Sequence, residues 1–249
     1  MKKRAQVTIF IIIAILIVAS IVMFFLFREK IGFWENKINP EVLPVYSYVE
    51  DCVEETEENA LARIGEQGGY FFISQDVKSI GSNIPYYLYN QEELVPTKAD
   101  IELELSGFVH EELSFCILNF KDFRDEFEIS HELKEVKTKI NDNSVDFNLQ
   151  YLISVSKKES EATSQFEEFN IRIPIRLGTI YNVAQAVVQE QQKHLDSICL
   201  SCLYTLGKEN NVHIDMLDYG NDTTIFTIID NNSTLNDENY EFSFAVKHG

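Results

Sequence analysis

Residues 7–27 carry no charged side chain and only two hydroxyls, those of Thr8 and Ser20. As a helix rising ~1.5 Å per residue, this run of 21 is about 31 Å long, which matches the hydrocarbon thickness of a bilayer. A surface helix of a water-soluble domain keeps a polar face, and this run has none, so it reads as an anchor in the lipid bilayer. A removable secretory signal has a shorter apolar stretch followed by small residues, whereas Met23, Phe24, Phe25, Leu26 and Phe27 stand where an Ala-x-Ala site would be. Lys2, Lys3 and Arg4 precede the run, and Arg28, Glu29 and Lys30 followed by strongly acidic sequence come after it. The positive-inside rule then puts the N-terminus in the cytoplasm and the remainder outside, as a single-pass protein of the cell membrane with an extracellular C-terminal domain. Phe33 and Trp34 fall at interface depth.

The remainder is acidic. The chain has 21 Lys and Arg against 40 Asp and Glu, a formal charge of -19. Such a surface repels phosphate backbones, which excludes nucleic acid as a partner and keeps a domain soluble. A hydrophobic fraction of 45% is enough for a sizeable core.

Arg4, Ala5, Gln6 and Val7, running directly into the apolar segment, resemble the class III signal of archaeal type IV pilin-like proteins. The resemblance covers about 25 residues. It implies cleavage between Ala5 and Gln6 by a prepilin-type peptidase on the cytoplasmic side, with other envelope proteins or further copies of the chain as partners. Phe10 departs from the pattern, because it takes the fifth mature position, where many pilins have a Glu used in assembly. Gly32, Pro40 and Pro44 also interrupt the long continuous helix that packs a pilus core. An uncleaved signal anchor is the competing reading.

Three regions follow: residues 1–27 as basic tip and anchor, 28–44 as a connector ended by two prolines, and 45–249 as an extracytoplasmic α+β domain of amphipathic helices packed on antiparallel meanders. Val45, Val49, Cys52, Val53, Thr56, Ala60, Leu61 and Ile64 recur at helical spacing, with Gly65 closing the helix. Residues 68–73 suggest a turn into a short strand, and 74–96 an irregular loop. A second helix begins near Thr97 or Asp100 and carries Ile101, Leu105, Phe108, Val109, Leu113 and Cys116 on one stripe. The period then changes to two: Val136, Thr138 and Ile140, a turn at Asn141-Asp142-Asn143, and Val145, Phe147, Leu149, Tyr151, Ile153 and Val155 spell a hairpin. A third strand spans 169–177, where Pro174 argues for an edge or bulge. A long helix starts at Gly178-Thr179, with Asp196 capping a second piece and Gly207 ending it. Strands near 212–217, 223–229 and 240–246 close the chain, with turns at Tyr219-Gly220-Asn221 and Asp230-Asn231-Asn232.

Four cysteines in an exported domain favour disulfides, and the expected pairs are Cys52 with Cys116 and Cys199 with Cys202. Two helices packed stripe to stripe bring the first pair together, although spacing alone leaves connectivity open. For Cys199-Leu200-Ser201-Cys202 the alternatives are redox chemistry or zinc, but the Gly-Pro centre of thioredoxin-like sites and a second CxxC are both missing. Asn221, Asn231 and Asn232 head N-glycosylation patterns in expected turns.

Catalytic signatures are missing. His110-Glu111-Glu112 and His131-Glu132 lack the second His of a zinc helix, and the five histidines form no sequence cluster. Ser154-Val155-Ser156-Lys157 matches SxxK in letters but alternates like a strand, whereas that chemistry needs a helix. The sequence reads as a non-enzymatic surface protein without cofactor or metal, serving structure, assembly or recognition. The alternative is an envelope enzyme whose site forms only in the fold; a pocket with paired carboxylates, or with a His beside a desolvated partner, would favour it.

Overall fold

The computed structural model describes residues 38–81, 83–160, 162–194 and 197–248. The anchor at 7–27, the processing residues Arg4, Ala5 and Gln6, and the expected cap Asp196 all lie outside them. Residues Glu41–Gly249 form one compact unit. It is α+β, with helices α1 (Leu43–Glu66), α2 (Lys98–Ile117), α3 (Leu177–Lys193) and α4 (Leu200–Asn210), and strands β1 (Ser79–Ile80), β2 (Ile84–Tyr89), β3 (Glu92–Glu93), β4 (Phe127–Ile140), β5 (Val145–Lys157), β6 (Thr163–Ile173), β7 (His213–Gly220), β8 (Thr223–Leu235) and β9 (Glu238–Lys247). Among the described residues, no helix is long and apolar enough to cross a membrane.

The helical stripes set the packing. Pro44 opens α1 in its first turn rather than ending a connector, since a proline there gives up only an amide that would lack a helical partner anyway. From there α1 buries Val45, Val49, Cys52, Val53, Ala60, Leu61 and Ile64, and it packs on α2, β6 and β9. Thr97 caps α2, its hydroxyl accepting from Asp100 N while the Asp100 carboxylate accepts from Thr97 N, so two orphan amides are satisfied reciprocally. Helix α2 then packs on β4.

Strands β4, β5 and β6 form an antiparallel sheet of three. Strand β5 alternates buried and half-buried residues along its length, as a strand with one covered face must. Strand β6 is at the edge, and Pro174 lies just past its end at Ile173, where no ladder donor is lost.

The second sheet has six strands in the order β1-β2-β9-β8-β7, with β3 paired to β2. It is mixed, because β2 runs parallel to β9 while the other pairs are antiparallel. The expected purely antiparallel meander is corrected here, and so is the expected loop at 74–96, which supplies β1, β2 and β3. Residues 70–73 form no strand. Tyr87 of β2 is fully buried, stacks on Phe244 at 4.6 Å between ring centroids, and donates its hydroxyl to Gly68 O.

Two glycines read as helix ends lie inside helices. Gly65 lies within α1, and the backbone of β9 passes against it at Glu241, leaving no room for a Cβ. Gly207 is within α4, and Asn211 ends that helix in the left-handed region at φ 54°. The second helical piece is α4, but only its Leu203 and Gly207 are buried, so the expected apolar stripe does not continue against the core. Asn221-Asp222 and Asn236-Asp237 make the last two hairpin turns, each with both residues at positive φ. The expected turn at 230–232 is therefore displaced to 236–237, and Asn231 and Asn232 sit in β8 at a register shift.

Candidate functional site

A cleft of about 790 Å³ forms where β7 turns into β8 and β9 ends. Asp218 and Asp222 from the β7–β8 hairpin line it, together with His248 and the segment Ser197-Ile198 that leads into α4. The fold positions His248 through its backbone, whose N–H donates to Asp222 O at 2.9 Å. Both ring nitrogens of His248 are buried and have no hydrogen-bond partner among the described residues. Burial pushes the imidazole pKa down, and the neighbouring Asp222 carboxylate partly opposes it.

One residue beyond Ile198 stands Cys199, at the N-cap of α4, with Cys202 in the first turn. The two are disulfide-bonded with Cα atoms 5.3 Å apart, and both are half-buried. His194, the C-cap of α3, brings its imidazole to them, so that one His nitrogen and the two Sγ atoms lie within 4.8 Å of one another. Glu190 Oε2 is 4.0 Å from His194 Nε2, and Ser201 Oγ is 3.6 Å from Cys199 Sγ. The sequence carries a signal for this cluster in the spacing His-x4-Cys-x2-Cys, which the CxxC alone does not show.

The other cysteine pair is built differently. Cys52 and Cys116 join the facing stripes of α1 and α2, with Cα atoms 5.6 Å apart and Cys52 only 2% exposed. Tyr48 of α1 donates to Cys116 O at 2.7 Å, closing the same junction. Both expected pairings are present, and no cysteine is free.

The remaining sequence candidates scatter. Asn221 is exposed in the β7–β8 turn beside the cleft, while Asn231 and Asn232 are exposed on β8, some distance along the strand. Ser154 and Lys157 lie on strand β5, not on a helix. His110 and His131, distant in sequence, line a second cleft of about 510 Å³ with Tyr151, whose hydroxyl is 3.0 Å from His131 Nδ1. Burial lowers the His131 pKa. Leu118, Asn119 and Phe120, at the exit of α2, all have positive φ, a backbone that costs of order 1–3 kcal/mol per non-glycine residue and survives only where packing enforces it. The buried Phe120 ring, 5.0 Å from that of His131, supplies part of the packing.

Fold and cysteines together define an α+β domain with one core disulfide and one half-buried disulfide at a helix start. Comparison with family models, with curated proteins and with solved structures gives no match.

Proposed function

We propose that this chain is a membrane-tethered surface protein whose α+β domain works outside the cytoplasm in structure, assembly or recognition, with a pilin-like or pilus-accessory subunit as its most concrete form. The observation that carries the reading is the uncharged run at 7–27 behind Lys2, Lys3 and Arg4. The pairing of all four cysteines supports it, since disulfides persist in oxidising compartments. In this reading the bilayer holds residues 7–27, a prepilin-type peptidase acts at Ala5-Gln6, and the acidic domain meets other envelope proteins or its own copies. The test is protease added to intact cells, combined with N-terminal sequencing of the membrane fraction. The expected result is digestion of the C-terminal half and a mature N-terminus at Gln6; a protected domain in the cytosolic fraction would end the proposal, and an intact Met1 with a digested domain would leave a plain signal anchor.

A second reading, an envelope enzyme, is favoured by one observation: the cleft that puts Asp218, Asp222 and the desolvated His248 together. Its test is turnover of a hydrolysable substrate panel that disappears in His248→Ala while the fold persists.

A further inference from the structure

The half-buried disulfide contributes little to stability for its position. In the chain-entropy account, a bond closing 3 residues stabilises by less than about 2 kcal/mol, against about 4 kcal/mol for one closing 64. Its surroundings suit a different task. Cys199 and Cys202 occupy the N-cap and first turn of α4, where unsatisfied amides and the helix dipole favour thiolates over thiols. Ser201 adds a hydroxyl beside Cys199. A third donor of another kind, the His194 imidazole, stands within 4.8 Å of both sulfurs. A tetrahedral zinc ion, with Zn–S of about 2.3 Å and Zn–N of about 2.0 Å, sets its sulfurs roughly 3.8 Å apart and each sulfur roughly 3.5 Å from the nitrogen. Severing the sulfur–sulfur bond lets the two Sγ atoms separate to that spacing without His194 having to approach from a distance.

We propose that His194, Cys199 and Cys202 form a three-ligand site for a zinc-class cation, open only when the Cys199–Cys202 bond is reduced. Two thiolates and one imidazole are the donors such a cation selects, and the fourth position stays free for water. Glu190, 4.0 Å from His194 Nε2, is the carboxylate that would accept from the ring nitrogen not engaged by metal. The same two sulfurs cannot be bonded to each other and ligate a cation, so oxidation and metal occupancy exclude one another. Opening the bond with a phosphine gives two thiols and the phosphine oxide, water supplying the oxygen and both hydrogens. The incoming cation then displaces the two thiol protons.

The experiment titrates Co²⁺, then Zn²⁺, into the full chain in detergent, anaerobically, before and after phosphine treatment. The proposal expects one equivalent of Co²⁺ in the reduced protein only, with the visible bands of tetrahedral cobalt and sulfur-to-cobalt charge transfer in the near ultraviolet, both lost when Zn²⁺ is added. His194→Ala should weaken Co²⁺ binding at least tenfold and alter the visible bands, and the double variant Cys199→Ser/Cys202→Ser should abolish charge transfer. That double variant also reports whether Cys52 or Cys116 has been opened, since they would be its only thiols. Reduced wild-type protein that takes up no Co²⁺, charge transfer that persists in the double variant, or a His194→Ala protein with unchanged affinity and bands would each overturn the site.

Discussion

Arg176 Nε lies 3.0 Å from Asp230 Oδ2, and the Asp230 side chain is fully buried. The pair joins three elements that meet nowhere in sequence. Arg176 stands at the N-cap of α3 and its Nη2 donates to Asn210 O at the end of α4, while Asp230 marks the register shift in β8. Ser233 completes the pocket by donating to Asp230 and accepting from Arg176 N. A buried charge whose partner is removed keeps its desolvation cost without compensation, so Asp230→Ala should destabilise by about 3–5 kcal/mol in urea unfolding. The double variant Arg176→Met/Asp230→Leu should lose less than Asp230→Ala, because neither charge is left stranded.

The two disulfides should separate cleanly in stability. Replacing Cys52 and Cys116 by Ala should cost about 2–5 kcal/mol, since the bond joins two helices across 64 residues. Replacing Cys199 and Cys202 should cost under about 2 kcal/mol. Chemical denaturation of the two double variants checks the order, and alkylation under graded reductant should label Cys199 and Cys202 before the buried Cys52.

Glu57 should make the domain less stable as pH rises. It is fully buried on α1 with neither carboxyl oxygen hydrogen-bonded among the described residues, and burial, aided by the nearby Glu54 charge, raises its pKa to about 9. A carboxyl whose folded pKa is raised binds its proton more tightly in the native state. That contribution is complete below the unfolded pKa near 4.5 and is lost as pH climbs towards 9, with a slope of about 1.4 kcal/mol per pH unit between the two. Unfolding free energies at pH 6 and pH 8 should show this fall, and Glu57→Gln should flatten it.

Gly65→Ala should destabilise by about 1–3 kcal/mol even though alanine is the better helix former. The added Cβ meets Glu241 O and the Tyr240 ring, and the Tyr240 hydroxyl is held by its bond to Leu61 O at 3.0 Å. Thermal unfolding decides it: a raised melting temperature would mean that β9 yields.

What could be read from the residues followed from periodicity within short windows. The helical stripes of α1 and α2, the two-residue alternation of β4 and β5, and the pairing of Cys52 with Cys116 all rest on neighbours a few residues apart, or on two such stripes facing each other. Strand β2 could not be read that way. Its Ile84-Pro85-Tyr86-Tyr87-Leu88-Tyr89 run carries a proline and no clean alternation, and it becomes a strand because β9, more than 150 residues later, offers a parallel edge. Gly65 looked like a helix end because its real constraint, the β9 backbone, is remote in sequence. Asp230 and Asn232 looked like turn residues until Arg176 and Ser233 claimed the carboxylate. The candidate sites divide the same way: the CxxC is visible in the chain, but His248 with Asp222, and His131 with Tyr151, meet only where distant segments close on each other. Local pattern follows from the chain's own geometry, whereas burial, register and the meeting of charges depend on which distant segments remove the same atoms from water, and that is settled only when the whole domain closes.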